Sequence, residues 1–282
     1  MRLAALCCPT DLPSPQHRAS IQFPNAHSDG IWSTFWTAND KILSGSVDEV
    51  AKSWDVTKDS ITVSHQYPGH VLGTISIIGN KAGTRAVTSS LDSQVRVLNL
   101  TDGSVEKTID AGAGELWQVV YSPDETKVAT GSQQGKINLV DLEAEKITQE
   151  ITTQAKFVLS VAYSPDGKHV ACGAFDGFVG VYDLETGECV HKYEDRTKPV
   201  RSVAYSSDGK LFAASDDMHI NVYDVGADRR VKLWDIGMRR CLTTFDTHTD
   251  QVWSVAYNPA GTRLVSGGDD ALLQIYEIAG AP

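Results

Sequence analysis

One short tail-piece keeps returning along this chain, and its spacing constrains the fold more than any other feature. It reads broadly as apolar, polar, apolar, aromatic, acid. The clearest copies are Val231-Lys232-Leu233-Trp234-Asp235 and Ala51-Lys52-Ser53-Trp54-Asp55. Weaker copies end in Leu98-Asn99, Val140-Asp141, Tyr182-Asp183, Tyr223-Asp224 and Tyr276-Glu277. The steps between successive aromatic or equivalent positions are 44, 42, 42, 41, 11 and 42 residues. Five near-equal steps are a repeat period, and a period of this length belongs to a modular array. The step of 11 breaks it.

Each full repeat contains three runs of strand character. The first alternates and is apolar, as in Ile31 to Trp36, Leu116 to Tyr121, Val158 to Tyr163, Val200 to Tyr205 and Val252 to Tyr257; in the second repeat it is read as Val71 to Ile77. The next is short and ends in small residues, and the third carries the tail-piece. Period-2 alternation rich in Val, Ile, Tyr and Trp is strand chemistry. Ser164-Pro165-Asp166-Gly167 and Asn258-Pro259-Ala260-Gly261 join first run to second. Proline presets φ and glycine supplies positive φ, so these are turns. A fourth run, such as Ile61 to Tyr67 or Val105 to Ile109, follows most tail-pieces. No segment has a 3.6-residue apolar period. Four strands per period describe an all-β propeller blade, which must bury both faces against neighbours.

The net charge of −11 and absence of a Lys/Arg-rich run exclude an electrostatic nucleic-acid footprint and argue against docking on anionic lipid. Five cysteines, none in C-x-x-C spacing, suggest neither a disulfide framework nor a zinc site. The apolar run from Leu3 to Cys8 stops at Pro9 and is shorter than a secretory core. Residues 1–15 read as a flexible tail, 16–279 as the propeller, and 280–282 as a second tail. No phosphate loop, nucleophile elbow or metal motif occurs, so no catalytic residue, metal or cofactor is expected. Asp48, Asp92, Asp176, Asp217 and Asp270 recur once per repeat, which marks them as architectural.

Trp54-Asp55, Trp234-Asp235, Gly69-His70 and Ser44-Gly45-Ser46-Val47-Asp48 together resemble the WD-repeat β-propeller family. The His-to-Asp distances agree: 21 residues from His27 to Asp48, and 22 from His70 to Asp92 and from His248 to Asp270. The resemblance implies a hydrogen-bonded set of His, Ser or Thr, Asp and Trp within a blade. Only the first repeat is expected to hold the whole set, as His27, Ser46, Asp48 and Trp54. The third has Gln134 in place of Asp and no His, so its blade is expected to rely on packing alone. The last repeat lacks a fourth strand, and residues 18–23 look like a fourth strand without the other three. They are expected to complete the last blade and close the ring.

The broken step leaves a third and fourth strand, within residues 226–246, without a first and second. Restoring about 30 residues would give a regular step and a seven-blade plan. Three readings stand: a ring with a damaged seventh position, a six-blade ring carrying the hairpin outside, or a spliced product or imperfect gene model of a seven-blade protein.

The resemblance also implies a partner-binding top face. There the residue after the first apolar residue of each inner strand faces the channel mouth. Those positions are Trp32, Leu72, Trp117, Leu159, Arg201 and Trp253. The residue before the recurring Asp faces the same way, giving Phe175 among others. Trp and Arg are enriched in binding hot spots. The competing reading packs some of these tryptophans between blades. Ala26-His27-Ser28-Asp29-Gly30-Ile31-Trp32-Ser33 and His248-Thr249-Asp250-Gln251-Val252-Trp253 resemble the WD-repeat subunits shared by the superkiller and polymerase-associated factor complexes. That likeness implies a non-catalytic adaptor in cytoplasm and nucleus. It would bind a tetratricopeptide scaffold beside an RNA helicase, in 3′→5′ mRNA decay, and factor-complex subunits in transcription elongation and histone modification. Another regulatory propeller, such as a ubiquitin-ligase receptor or histone-tail reader, is the alternative.

Overall fold

The computed structural model describes residues 18–112, 114–193, 199–205, 211–215, 231–235, 240–260 and 262–277. The regular elements among them are all strands. The first blade is a four-stranded antiparallel sheet of β2 (Ile31–Trp36), β3 (Lys41–Ser46), β4 (Ala51–Val56) and β5 (Ile61–Tyr67). β1 (Arg18–Phe23) belongs elsewhere, as described below. The second blade repeats the order with β6 (Thr74–Gly79), β7 (Arg85–Ser90), β8 (Gln94–Asn99) and β9 (Val105–Asp110). The third has β10 (Leu116–Tyr121), β11 (Lys127–Ser132), β12 (Lys136–Asp141) and β13 (Lys146–Thr152). The fourth has β14 (Val158–Tyr163), β15 (His169–Ala174), β16 (Val179–Asp183) and β17 (Cys189–Tyr193).

Two two-stranded sheets follow. One pairs β18 (Val200–Tyr205) with β19 (Leu211–Ser215), the other β20 (Val231–Asp235) with β21 (Arg240–Phe245). Residues 216–230, which hold Tyr223-Asp224 and the expected loop, lie outside the described residues, as do 1–15 and 280–282. The last blade contains β22 (Val252–Tyr257), β23 (Arg263–Gly268) and β24 (Leu273–Glu277), and β1 supplies its fourth strand. Arg18 lies opposite Glu277 and Phe23 opposite Leu273, so the N-terminal strand closes the last blade as expected. Pairing with β1 removes the free edge that β24 would otherwise present.

The core lies between blades. Leu43, Ala51 and Tyr67 of the first blade pack with Ile77, Ala86 and Leu98 of the second. Ala129 and Ile137 of the third pack with Val158, Val170 and Cys172 of the fourth. Burial of such apolar surface, at about 25 cal/mol per Å², is what a lone repeat could not obtain.

The innermost strand of each blade has no sheet neighbour on its channel side, so its backbone N–H groups need other acceptors. The preceding blade supplies them. Ser254 Oγ accepts from Thr34 N at 2.8 Å, Ser33 Oγ from Ile77 N at 3.1 Å, Ser76 Oγ from Val119 N at 3.3 Å, and Gln118 Oε1 from Val161 N at 2.9 Å. These four side chains stand at one repeat position. At the next blade the series stops: the buried Ser160 Oγ has no partner among the described residues. Inner strands β22, β2, β6, β10, β14 and β18 pack in succession, but β18 and β22 do not pack together in that way. On the other side of the break, Phe245 at the end of β21 packs against Tyr276, with ring centroids 4.4 Å apart. That is how Tyr67, at the end of β5, meets the second blade.

Candidate partner-binding site

The blade-locking set is built from strand alternation and chemistry. Trp54 Nε1 can only donate, and it does so to Ser44 Oγ at 2.8 Å. The Ser44 hydroxyl proton is then free for His27 Nε2, 2.7 Å away. That leaves the Nδ1 proton of a neutral His27 for Asp48, at 3.0 Å. Ser28 N and Val50 N also donate to this carboxylate. The serine of the set is therefore Ser44, not Ser46. Ser46 lies on the same face of β3, so alternation alone could not separate them. Its hydroxyl donates to Asp29 O at 3.1 Å and accepts from Asp48 N, bracing the turn.

Burial lowers the pKa of His27 against the opposing pull of Asp48, which matches the neutral ring that the proton order requires. Burial pushes Asp48 up, but His27 and the two amides outweigh it and hold the carboxyl well below its ordinary value. The second blade keeps His70, Asp92 and Thr88, with Thr88 Oγ1 2.9 Å from His70 Nε2. The last blade keeps a whole set too. His248 bonds Asp270 and Ser266, and the Tyr276 hydroxyl, 3.1 Å from Ser266 Oγ, takes the indole's place. In the third blade Thr130 Oγ1 is buried without a partner among the described residues, because the His is missing and Val140 replaces the aromatic. That blade does not rest on packing alone, however: Asn138 Nδ2 donates to Ala111 O at 2.7 Å. Lys52 and Arg96 tie the Ala26 and Gly69 carbonyls at the same position of their own blades.

A β-bulge makes the mouth. In β2 the pairing runs Ile31–Ser46, then Ser33–Gly45, leaving Trp32 as the extra residue. The same irregularity isolates Leu159, Arg201 and Trp253, and β10 jumps from Leu116–Ser132 to Val119–Thr130 around Trp117. A bulge re-aims one side chain and sharpens the local twist. Repeated at one position, it brings Trp32, Trp117, Arg201 and Trp253 within reach of one another.

In the second blade the extra residue is Ile75, between Thr74–Ser90 and Ser76–Ser89. Leu72 is therefore not a member of the aligned ring. The strand begins at Thr74, a buried β-branched polar residue that an apolar count passes over. Leu72 stands in the preceding loop, 56% exposed beside Val71 at 64%, while Ile75 is buried.

The aromatic members meet one another rather than disappearing between blades. Trp32 stacks on Trp117 with centroids 5.9 Å apart and meets Trp253 at 5.7 Å. Arg201 places its guanidinium 6.0 Å from the Trp253 ring centre, a cation–π distance. Trp32 Nε1 points to Asp269 at 3.4 Å. Phe157, which precedes β14 and carried no repeat signal, extends the run. It meets Trp117 edge-on at 5.0 Å and Phe175 at 6.3 Å. Leu159 is buried, whereas Phe175 and Trp253 are 55% and 37% exposed. Trp117 Nε1 is buried with no acceptor among the described residues. Asp216 and Asp217 lie outside the described residues. Among the described residues no cluster of three His, Cys, Asp or Glu is placed to hold a metal. Among the described residues the mouth brings together aromatic faces, the Arg201 guanidinium and the Asp269 carboxylate.

Comparison with known proteins agrees with this geometry. The WD domain, G-beta repeat, matches residues 18–55 and 239–277. The N-terminal domain described as nucleolar protein 10-like matches residues 76–236. The WD repeat-containing protein SL1-17 of Schistosoma mansoni is 35% identical over 291 residues, covering 90% of this chain and 97% of that protein. The WD repeat-containing protein VIP3 of Arabidopsis thaliana is 31% identical over 36% of this chain and 33% of its own length. Superkiller complex protein 8 of Dictyostelium discoideum is 41% identical over 18% of this chain and 17% of its own. With tail-piece, blade order, His–Ser–Asp sets and a full-length relative in agreement, this chain belongs to the WD-repeat β-propeller family, whose members are in general non-catalytic platforms for protein interaction.

Proposed function

We propose that this chain is an adaptor that holds a short peptide of a partner on the aromatic mouth, within an assembly of the superkiller type. The observation that carries the reading is the unbroken aromatic run from Trp253 through Trp32, Trp117 and Phe157 to Phe175. Rigid aromatic surface of this kind gives large contact area at low entropic cost. The stretch of likeness to superkiller complex protein 8 supports the choice of assembly. The partner would be the tetratricopeptide scaffold that accompanies the RNA helicase, with cytoplasmic mRNA decay as the process. A second, nuclear pool would serve the polymerase-associated factor complex. The Asp269 carboxylate beside Trp32 favours, as a second reading, a histone-tail reader that takes a basic peptide.

The test is capture of the purified scaffold subunit by the intact chain. Trp253→Ala and Trp117→Ala are expected to abolish capture while thermal unfolding shows a folded protein. Retention by both variants would remove the mouth as the binding site. Retention of a basic histone-tail peptide, with no capture of the scaffold by the unaltered chain, would select the second reading.

A further inference from the structure

A second recess lies at the opposite end of the inner strands from the tryptophans. Its volume is about 410 Å³, and its walls include Val120, Tyr121, Val161, Tyr163 and Tyr205. The three tyrosines end β10, β14 and β18, one per strand, so the repeat brings them together as it brings the bulge residues to the other mouth. Walls of this kind accept an apolar side chain. The Tyr163 hydroxyl is buried and has no hydrogen-bond partner among the described residues. The blade-locking sets and the aromatic mouth use none of these groups.

The surrounding turns say what kind of ligand fits. Residues 122–127, 141–146, 164–169 and 183–188 are the turns of the third and fourth blades at this end. Together they carry nine acidic side chains against three lysines, and two of the nine, Glu143 and Glu145, pair with Lys107 of β9. Lys81, at the rim, is engaged with the Pro123 carbonyl, while its own amide donates to Glu125. We infer that this recess is a second protein-docking site, taking an aromatic or large aliphatic side chain from a peptide flanked by basic residues. The recess holds the anchor, and the acidic turns attract the flanks and make binding salt-dependent. The site is independent of the aromatic mouth, so one propeller would bridge two partners.

The experiment uses the full chain and two short synthetic peptides, each with one central phenylalanine, flanked either by arginines or by glutamates. Fluorescence anisotropy is expected to detect the arginine-flanked peptide only, with affinity falling as salt is raised. Ala204 lines the recess and is exposed, so Ala204→Trp fills the space without removing a core contact. This variant is expected to weaken binding at least about tenfold while its melting temperature is unchanged. Trp253→Ala, at the other mouth, is expected to bind the peptide as the unaltered chain does, so failure here is separable from failure of the adaptor reading. Equal binding of both peptides, or full binding by Ala204→Trp, would overturn the proposal. So would self-association of the chain that Ala204→Trp abolishes, which assigns the face to a second copy. Binding seen only after Leu3 and Leu6 are changed to glutamate would assign the recess to the chain's own first residues.

Discussion

β14 and β18 are nearly the same strand in sequence and very different strands in the molecule. Val158-Leu159-Ser160-Val161-Ala162-Tyr163 differs from Val200-Arg201-Ser202-Val203-Ala204-Tyr205 only at the bulge position. In β14 every residue but the last is buried. In β18 three of the six are exposed: Arg201, Ser202 and Ala204. β14 has the third blade on one side and β18 on the other. β18 packs on β14 but lacks the corresponding contact with β22. β22 carries the same pattern, Val252-Trp253-Ser254-Val255-Ala256-Tyr257, with only its first residue buried, and it too borders the break. Burial in a propeller is thus a property of the next blade, not of the strand's own composition.

The sharpest way to break this comparison is to put one charge at both alanines. Ala162→Glu is expected to cost about 3 kcal/mol or more, because the carboxylate would be buried without a partner. Ala204→Glu should stay within about 0.5 kcal/mol, as exposed substitutions do. Urea midpoints of the two variants decide it, and equal losses would show that β18 has a neighbour after all.

Acid probes the comparison through the locking sets. His27 and His70 are lowered chiefly by burial, so the unfolded chain binds their protons first. Their contribution is complete above an unfolded pKa of about 6.5 and is lost as pH falls from there through the folded values. Asp48, Asp92 and Asp270 are held low by their histidines and by backbone amides, against burial. Their contribution is present above about pH 4 and is lost at lower pH still. Stability should therefore decline in two acid steps, readable in melting temperature against pH. The His27→Gln chain should show a weaker first step.

The staples give a smaller and more local contrast. Ser33→Ala leaves the Ile77 amide without its acceptor and is expected to cost about 1–3 kcal/mol. Ser160→Ala removes a hydroxyl that has no partner among the described residues and should be close to neutral. Smallest of all, Thr130→Val in the third blade is expected to be neutral or slightly stabilising, whereas Thr88→Val costs about 1 kcal/mol by taking His70's partner. Chemical denaturation of the four variants measures both pairs. Native-state hydrogen exchange adds the direct check: β18 amides should exchange faster than those of β14.

Much was legible from the chain alone, and the particulars show why. The tail-piece period announced the strands, and the blade order followed from their number per repeat. The unpaired run at 18–23 announced the closing strand, because a repeat array must return its surplus strand to the blade that lacks one. His27, Asp48 and Trp54 were legible because their spacing repeats. Ser44 and Ile75 were not. Ser44 and Ser46 share a face of one strand, and only the position of the Trp54 indole distinguishes them. Ile75 was hidden because its strand opens on a threonine.

The amino-acid sequence carried which residues repeat, and therefore the all-β propeller, the spacing of His27, Asp48 and Trp54, and the line-up of Trp32, Trp117, Leu159, Arg201 and Trp253. Those are consequences of local alternation and fixed spacing, which one chain segment carries in full. The tertiary structure adds that a bulge falls at each of those positions and that the three tryptophans meet one another. It also decided that each blade caps the next blade's amides until β18. Those outcomes depend on the register between strands and on which blade comes next, and neither is a property of any single stretch of sequence.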